Sequence, residues 1–328
     1  MMKATRLEAC DRVPIWLMRQ AGRYMAEYRE VRRKTTFLEL CKNPSLSAEV
    51  MLTAVERLNV DAAIIFSDLL PILEPMGIEL EFTDAGGPKI GNPIRQPEDV
   101  ERLLELTDLG RLEFVMETVR QTRAGLAEEL PLIGFAGAPF TLASYTIEGG
   151  SSRDFALAKT LMYRDQGAWD ALMGRLARAV VSYLNAQIEA GCQIVQLFDS
   201  WVGSLAAHDY RRYVLPHTRA VVEGITPGVP VINFATGNPA LLPLLREAGG
   251  DVIGIDWRVS LDDAWKTVGH DKAVQGNLDP VILLTDPATI RRHAKQILDQ
   301  AGRRPGHIFN LGHGVLKQTP VENAIALV

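Results

Sequence analysis

The stretch DQGAWDALMGRLARAVVSYLNAQIEAGCQIVQLFDS, residues 165–200, joins a helix pattern to a strand pattern through a short turn. Apolar residues recur at helical spacing over Trp169–Ile188, which predicts an amphipathic helix. Asp165 stands where an N-cap belongs, and Gly191 stands where a helix commonly stops. The run Ile194–Phe198 is apolar on nearly all positions, as in parallel strands that helices cover on both faces. The stretch therefore predicts one helix–strand unit of an α/β fold.

The same strand pattern recurs along the chain and alternates with helical patterns. The eight candidate strands are Pro14–Met18, Ala62–Phe66, Leu132–Gly137, Ile194–Phe198, Val229–Phe234, Val252–Asp256, Ala273–Gly276 and Ile308–Leu311. Eight strands that alternate with helices are what a (β/α)8 TIM-type barrel requires. A doubly wound open sheet is the alternative, but no GxGxxG follows an early strand. We expect residues 1–328 to form one α/β barrel domain, with its active site at the carboxyl ends of the strands.

Four further local patterns predict structure outside the barrel strands. Asp286 followed by proline is typical of a helix start, and residues 319–322 (TPVE) have the spacing of a capping box with Thr319 as N-cap. Residues 78–82 are a candidate hairpin strand that leads into Gly86-Gly87-Pro88. The sequence stops at Val328, only a few residues into the last predicted helix. We expect that helix to run longer, so that it is cut short at residue 328.

Composition limits the classes of partner. The 328 residues carry a net charge of −5, with 47% hydrophobic and 23% charged residues. An acidic chain has no general electrostatic attraction for nucleic acid or anionic lipid. No run approaches the roughly 18 apolar residues that a membrane span needs. Cys10, Cys41 and Cys192 lie far apart and form no CxxC, which is typical of a reducing compartment. We expect a soluble cytoplasmic protein that binds neither nucleic acid nor membranes.

Polar residues follow each candidate strand. In chain order they are Arg19, Gln20, Gly22 and Arg23; Ser67 and Asp68; Thr141 and Tyr145; Asp199 and Ser200; Thr236; Asp256; Asn277; and Gly312-His313-Gly314. The carboxyl ends of barrel strands meet on one face, where the loops hold the chemistry. We therefore expect these residues to surround one cleft.

Arg19 and Arg23 are the strongest candidates for ligand binding. The guanidinium group binds carboxylates with two parallel hydrogen bonds, and Gly22 between them lets the backbone approach a ligand closely. The alternative is a solvated basic helix start, because Arg29 and further cations follow. The position directly after a strand favours binding of an acidic small molecule.

Asp68 and His313 are the candidates with unusual surroundings. Asp68 stands among apolar residues, where a carboxylate is costly unless a partner or a cationic ligand needs it. Its alternative role is to cap the next helix. His313 stands between two glycines in a loop, with roles as general base, anion donor or structural residue all open. Tyr145 and Ser200 each offer one hydroxyl, which an ordinary structural hydrogen bond would also explain.

Longer motifs resemble one enzyme family over nearly the whole chain. They are PIWLMRQAGRYMAEYR (Pro14–Arg29), FSDLLP (Phe66–Pro71), GFAGAPFTLASYTIEGG (Gly134–Gly150), FDSWVG (Phe198–Gly203), QGNLDP (Gln275–Pro280) and NLGHGV (Asn310–Val315). In this order they resemble the uroporphyrinogen decarboxylase family. Ala26 departs from the family pattern, which usually has proline after RYM, and lies outside the contact positions.

The resemblance implies a homodimeric barrel with a deep cleft and no metal or organic cofactor. The implied reaction converts the four acetate side chains of uroporphyrinogen III to methyls, giving coproporphyrinogen III and carbon dioxide in haem and chlorophyll biosynthesis. The implied substrate contacts are Arg19, Gln20, Ala21, Gly22, Arg23, Asp68, Tyr145, Ser200 and His313. Phe135 and Phe198 match apolar positions that would pack against the macrocycle.

The resemblance also implies catalytic roles. Asp68 would accept the inward-pointing pyrrole N–H groups and stabilise a ring cation, the inverse of an oxyanion hole. Arg19 is the implied proton donor, assisted by water, although its high pKa makes it an awkward acid. Tyr145 is the alternative donor. The arginines and His313 would form a basic rim for the substrate carboxylates.

Two other functions fit the same barrel. A zinc-dependent thiol or corrinoid methyltransferase would need a His-x-Cys and a distant cysteine at late strand ends. The loops at residues 233–236 and 312–314 contain no cysteine, which disfavours it. A non-catalytic tetrapyrrole binder would retain the contact residues without turnover. Haem ligation is disfavoured, because no histidine lies in an apolar helical pocket.

Overall fold

The computed structural model describes residues 1–83 and 87–328 and contains one parallel sheet and one hairpin. The strands described are β1 Ala63–Ile64, β2 Leu80–Thr83, β3 Gly87–Ile90, β4 Leu132–Gly137, β5 Ile194–Asp199, β6 Val231–Ala235, β7 Val252–Gly254, β8 Ala273–Gln275 and β9 His307–Ile308. The sheet has the order β1-β4-β5-β6-β7-β8-β9, and every neighbouring pair is parallel. Strands that follow one another in chain order and run parallel confirm the predicted α/β barrel class.

The segment at residues 14–16 closes the sheet between its two edge strands. Phe309 N donates to Pro14 O (2.8 Å) and Trp16 N donates to Phe309 O (3.3 Å), which joins the segment to β9. On the other side, Asp61 N donates to Ile15 O at 2.8 Å, just before β1 begins. The seven strands and this segment therefore form a closed eight-membered barrel.

The first predicted strand, Pro14–Met18, was wrong as a regular strand, because it forms only the isolated bridge between Ile15 and Phe309. The physical reason is that side chains take its backbone donors. Ile15 N donates to the Asp61 carboxylate at 2.8 Å, and Met18 N donates to Asn310 Oδ1 at 3.0 Å. The segment occupies the position of a barrel strand but does not form the regular backbone hydrogen bonds of one.

Helices cover the outside of the barrel. They are α1 Met2–Thr5, α2 Ala26–Arg32, α3 Phe37–Cys41, α4 Pro44–Leu58, α5 Glu113–Gly125, α6 Pro139–Glu148, α7 Ala156–Arg164, α8 Gln166–Ala190, α9 Ala207–Tyr213, α10 Leu215–Glu223, α11 Leu242–Ala248, α12 Leu261–Val268, α13 Pro287–Ala301 and α14 Val321–Leu327. All six residues of β4 are buried, as a strand between a barrel interior and a helical layer must be. In the part of the chain that the structure describes, no helix combines the length and apolar character needed to cross a membrane.

The helix ends test the capping predictions. Asp165 accepts from Ala168 N at 2.9 Å and Asp286 accepts from Thr289 N at 3.0 Å, which confirms both N-caps. Gly191 follows α8 with a φ of 129°, which confirms the predicted stop. The capping box at Thr319 is wrong: α14 begins at Val321, after an extended Pro320. Proline with ψ near 132° cannot be the first helical residue, so the hydroxyl of Thr319 stands too early to cap.

The predicted hairpin strand is present. Leu80–Thr83 pairs antiparallel with Gly87–Ile90, two residues later than the predicted start. Of the predicted turn, Gly86 lies outside the described residues. The division of the chain into one domain, and a last helix cut short at Val328, remain predictions.

Candidate active site

Arg19 is held in place by the loop that carries His313. Its backbone is left-handed, with a φ of 61°. Met18 just before it donates to Asn310 and accepts from Val315 N at 2.9 Å, so both sides of the peptide are fixed by the last strand's loop. Gly314 contacts the Arg19 side chain so closely that any Cβ there would collide with it. The first and last strand ends therefore meet, and Arg19 extends outward between them with an exposed side chain.

Gln20, Ala21 and Gly22 position the arginines on either side of them. Gln20 is buried, and its amide donates to Ala62 O at 3.3 Å. Its carbonyl accepts from the Tyr24 hydroxyl at 2.6 Å. Ala21 is also buried, whereas Arg23 is exposed. The geometry presents the two guanidinium groups outward and turns the Gln20 side chain into the barrel wall, so direct substrate contacts by Gln20, Ala21 and Gly22 remain predictions.

Arg23 and the cations of the following helix, which the sequence presents as alternative explanations, lie on the same surface. An open cavity of about 300 Å³ is lined by Arg23, Tyr28, Arg29, Arg32 and Arg33. Arg29 donates to the carbonyl oxygens of Arg23 (2.9 Å) and Tyr24 (2.8 Å), while Arg33 pairs with Glu30. The solvated basic helix and the arginine loop are thus one surface, and Arg29 stabilises the backbone of Arg23.

Asp68 lies half-buried after β1, within electrostatic reach of Arg19. Its Oδ1 accepts from Leu70 N at 3.0 Å, which closes a turn two residues long. The helical turn Pro71–Leu73 that follows has Leu70 as its N-cap and no side-chain cap, so the alternative role of Asp68 as a helix cap is wrong. Burial raises the pKa of this carboxyl to about 6, although the hydrogen bond and the Arg19 guanidinium pull the other way. Asp68 is therefore mostly ionised at neutral pH, but only one or two pH units from its neutral form.

Tyr145 lies on α6 with its ring against Trp201. The two ring centres are 5.7 Å apart in an edge-on arrangement. Burial, and then the negative charge of Asp68, raise the pKa of the Tyr145 phenol to about 12. Trp201 also packs on Phe155 at 5.3 Å. Trp201 is not among the predicted site residues, although it directly follows Ser200, which is.

Asp199, next to Ser200, is a buried acid that the sequence analysis did not single out for a role. It is 1% exposed, and its Oδ1 accepts from Thr141 Oγ1 at 2.8 Å. Among the residues described, its Oδ2 has no hydrogen-bond partner. Burial raises the pKa of Asp199 to about 7. Thr141 is one turn before Tyr145 on α6, so this acid supports the helix that carries the tyrosine, while Ser200 itself remains half-buried at the strand end.

Asp199→Asn should weaken the pH dependence of stability. The folded protein holds the pKa of this carboxyl near 7, above its unfolded value of about 4, so the folded state binds the proton more tightly. That stabilisation is complete below about pH 4 and is lost as pH rises through about 7. Between pH 5 and 8 the free energy of unfolding of the wild type should therefore fall by on the order of 2 kcal/mol more than that of the variant. Urea unfolding at pH 5 and at pH 8 measures the free energy of unfolding of the wild type, of Asp199→Asn and of the control Asp299→Asn, which changes an exposed carboxylate. An equal loss of unfolding free energy in all three proteins would contradict the prediction.

His313 is a neutral imidazole in this site. Its Nδ1 accepts from Gly314 N at 2.8 Å, which leaves Nε2 to carry the proton. Burial, reinforced by the cations Arg19 and Arg258, lowers the pKa of His313 to about 4, and Asp256 opposes this only in part. Without substrate, His313 therefore offers a neutral N–H donor at neutral pH, and its part in the basic rim remains a prediction.

Fold and site together define an α/β barrel whose strand ends bring a guanidinium group, Arg19, within electrostatic reach of one half-buried carboxylate, Asp68. Across residues 1–83 and 87–328, no group of three or more histidine, cysteine, aspartate or glutamate side chains has an arrangement that could hold a metal ion. The family model described as Uroporphyrinogen decarboxylase (URO-D) matches residues 1–328. The chain belongs to the uroporphyrinogen decarboxylase family, and it is a carboxy-lyase of tetrapyrrole biosynthesis.

Individual relatives agree with this assignment. The uroporphyrinogen decarboxylase of Carboxydothermus hydrogenoformans is 55% identical over all of this chain and 94% of its own length. That of Sorangium cellulosum is 52% identical with the same coverage of both chains. A solved methyltransferase from Methanosarcina mazei superimposes with a TM-score of 0.83 over 99% of this chain and 94% of its own, at 21% identity. At that identity the likeness to the methyltransferase concerns the fold alone.

Proposed function

We propose that this chain removes the carboxyl groups from the four acetate side chains of uroporphyrinogen III, giving coproporphyrinogen III and carbon dioxide. The observation that carries the proposal is the half-buried Asp68, whose charge acts on both Arg19 and Tyr145 at the strand ends of the barrel. An acid that lies within electrostatic reach of both a cation and a phenol suits a ligand with carboxylates outside and N–H groups inside.

Binding would divide between the rim and the centre of the cleft. The substrate bears eight carboxylates, and Arg19 and Arg23 are exposed guanidinium groups that can each bind one with two hydrogen bonds. Ser200 and the Nε2–H of His313 add neutral donors. Asp68 in its ionised form would accept the pyrrole N–H groups that point to the centre of the macrocycle. Phe198, half-buried and edge-on to Phe135 at 5.5 Å, would supply apolar contact.

The chemistry needs a proton and a place for positive charge. A proton added to a pyrrole ring carbon makes the ring cationic; the bond from the acetate CH₂ to its carboxylate then breaks, and its electron pair enters the ring. Carbon dioxide leaves, the exocyclic CH₂ takes a proton to become a methyl, and the ring carbon loses its added proton. Each acetate thus consumes one proton and releases one carbon dioxide without oxidation. The Asp68 carboxylate would stabilise the cationic stage electrostatically.

Arg19 is the proposed proton donor, working through water. Its guanidinium offers several N–H donors to a bound water, and that polarised water would deliver the proton. Tyr145 is the alternative, although a phenol with a pKa near 12 is also a reluctant acid. The KM and kcat of Arg19 variants separate the two, as argued below.

We also propose that two copies of the chain associate and that the protein works in the cytoplasm. Leu157 and Tyr163 on α7 are large apolar side chains about half exposed, which supports a covered surface there. Cys10, Cys41 and Cys192 are free thiols, which supports a reducing compartment. Sedimentation equilibrium should give twice the 36.2 kDa chain mass, whereas a single-chain mass at micromolar concentration would contradict pairing.

One anaerobic assay tests the proposed function. Chemically reduced uroporphyrinogen III is incubated with the purified protein, and products are separated by chromatography. Coproporphyrinogen III with stoichiometric carbon dioxide supports the proposal. Tight binding without product would indicate the non-catalytic tetrapyrrole binder instead, and stoichiometric zinc in the purified protein would revive the methyltransferase.

A further inference from the structure

Arg258 is a cation beside His313 that the candidate set does not include. It follows β7 in the loop Asp256-Trp257-Arg258, and its guanidinium carbon lies 4.1 Å from the centre of the Trp257 ring. Its Nη1 donates to Asp256 Oδ2 at 2.5 Å, yet its side chain remains 42% exposed. An arginine that stacks on an aromatic ring and still reaches solvent is placed to bind something else.

Asp256 makes a rigid support for this guanidinium. Its side chain is only 5% exposed, and its carboxylate also accepts from Gly237 N (2.7 Å) and from Arg258 N (2.9 Å). Its carbonyl accepts from Asn277 Nδ2 at 2.9 Å. The loops after β6, β7 and β8 are thus tied together at Asp256. Its carboxylate keeps two backbone partners without the guanidinium, so the ion pair fixes Arg258 more than Arg258 fixes the loop.

Arg258 is linked to His313 through the Trp257 ring. The Trp257 ring, on which Arg258 stacks, meets the His313 imidazole edge-on at 6.4 Å. Arg19 and Arg258 both act on His313 as nearby positive charges. Gly312 lies directly against the Trp257 backbone, with no room for a Cβ. His313 is therefore close to two guanidinium groups, that of Arg19 after the closing segment and that of Arg258 after β7.

We infer that Arg258 binds a peripheral carboxylate of the tetrapyrrole, as a third guanidinium of the cleft that grips a different edge of the ring from Arg19 and Arg23. The inference rests on the proposed function. The Asp256 carboxylate binds only Nη1 of the Arg258 guanidinium. Within the described ranges, Nη2 and Nε have no hydrogen-bond partner, so these N–H groups are free to bind a carboxylate of the ligand. Carboxylates surround the whole macrocycle, and cations from the first loop alone cannot reach all of its sides.

The test compares Arg258→Gln and Arg258→Lys with Arg246→Gln. Arg246 on α11 is a matched control: it is 38% exposed and pairs at 2.7 Å with Asp271, which precedes the amino end of β8, opposite the strand ends that carry the site. For reduced uroporphyrinogen III at low salt, Arg258→Gln should raise KM about tenfold with kcat within about twofold, since one charge-assisted contact is lost. The KM of Arg258→Lys should lie between those of the wild type and Arg258→Gln, and Arg246→Gln should have the wild-type KM. The KM ratio of Arg258→Gln to wild type should shrink in 0.5 M salt as charges are screened.

Two results would overturn the inference. One is an unchanged KM in Arg258→Gln while Arg19→Gln raises it. The other is a lower melting temperature in Arg258→Gln with wild-type KM and salt dependence, which would leave Arg258 as a structural clip for Asp256. If Arg258→Gln fails to fold, the KM of Arg258→Lys decides in the same way. Failure of the proposed function is separate, because the wild type itself would then release no coproporphyrinogen.

Discussion

Asp68→Asn should lower kcat by about 10²- to 10³-fold while the barrel stays folded. Asparagine has the shape of aspartate but no charge, and its amide oxygen can still accept the backbone hydrogen bond that Leu70 N donates to Asp68. What is lost is the negative charge facing the cationic stage of the reaction. In a half-buried position that charge is only weakly screened, so its removal is costly to the transition state.

The pH profile gives a second readout for Asp68. Only the ionised carboxylate stabilises a cation, and burial holds its pKa near 6. In the wild type, kcat/KM should therefore fall as pH drops below about 6, and Asp68→Asn should lack this acid limb while being slow at every pH. Asp271→Asn, which removes an exposed carboxylate before β8, is the control and should keep the wild-type profile. A near-normal kcat in Asp68→Asn would remove the electrostatic role.

The strands were predictable because burial on both faces leaves a direct mark on the sequence. Leu132–Gly137 and Ile194–Asp199 are buried almost throughout, and both were found within one residue of their ends. Closure of the barrel was harder to foresee. The first strand lost its ladder to the side chains of Asp61 and Asn310, which come from remote parts of the chain. Contacts of that kind carry no periodicity, so no local pattern reveals them.

The candidate site likewise has features that could be predicted from the sequence and features that could not. Topology brings strand ends together, so listing the residues that follow each strand was enough to predict Arg19 near His313 and Asp68 near Tyr145. Protonation states were not predictable in this way. His313 is neutral because two guanidinium groups and burial act on it together, and one of these, Arg258, lies two residues beyond the strand end that was considered. Charge depends on the packing around a group, which sequence position alone does not give.

Arg19→Gln should reduce kcat/KM by about 10³-fold, because KM should rise and kcat should fall. One charge-assisted hydrogen bond contributes roughly 1.5–3 kcal/mol, so loss of the carboxylate grip should raise KM about 30-fold. Loss of the proposed proton delivery should lower kcat by about 10²-fold. Folding should be unaffected, because glutamine and arginine are equally strained at the left-handed φ of 61° and the side chain points outward.

The split between KM and kcat in Arg19 variants decides between the two donors. Arg19→Lys keeps the charge and should recover part of the KM effect. If kcat of Arg19→Gln stays near the wild-type value while KM rises, Arg19 only grips, and the proton must come from Tyr145. An unchanged KM would take Arg19 out of the binding site altogether. Arg12→Gln makes the same change in net charge at the other end of the barrel, where Arg12 pairs with Asp61 just before β1, and it should leave both constants alone. Any loss shared by Arg12→Gln and Arg19→Gln would therefore reflect net charge, and only the excess in Arg19→Gln measures the contact with the substrate.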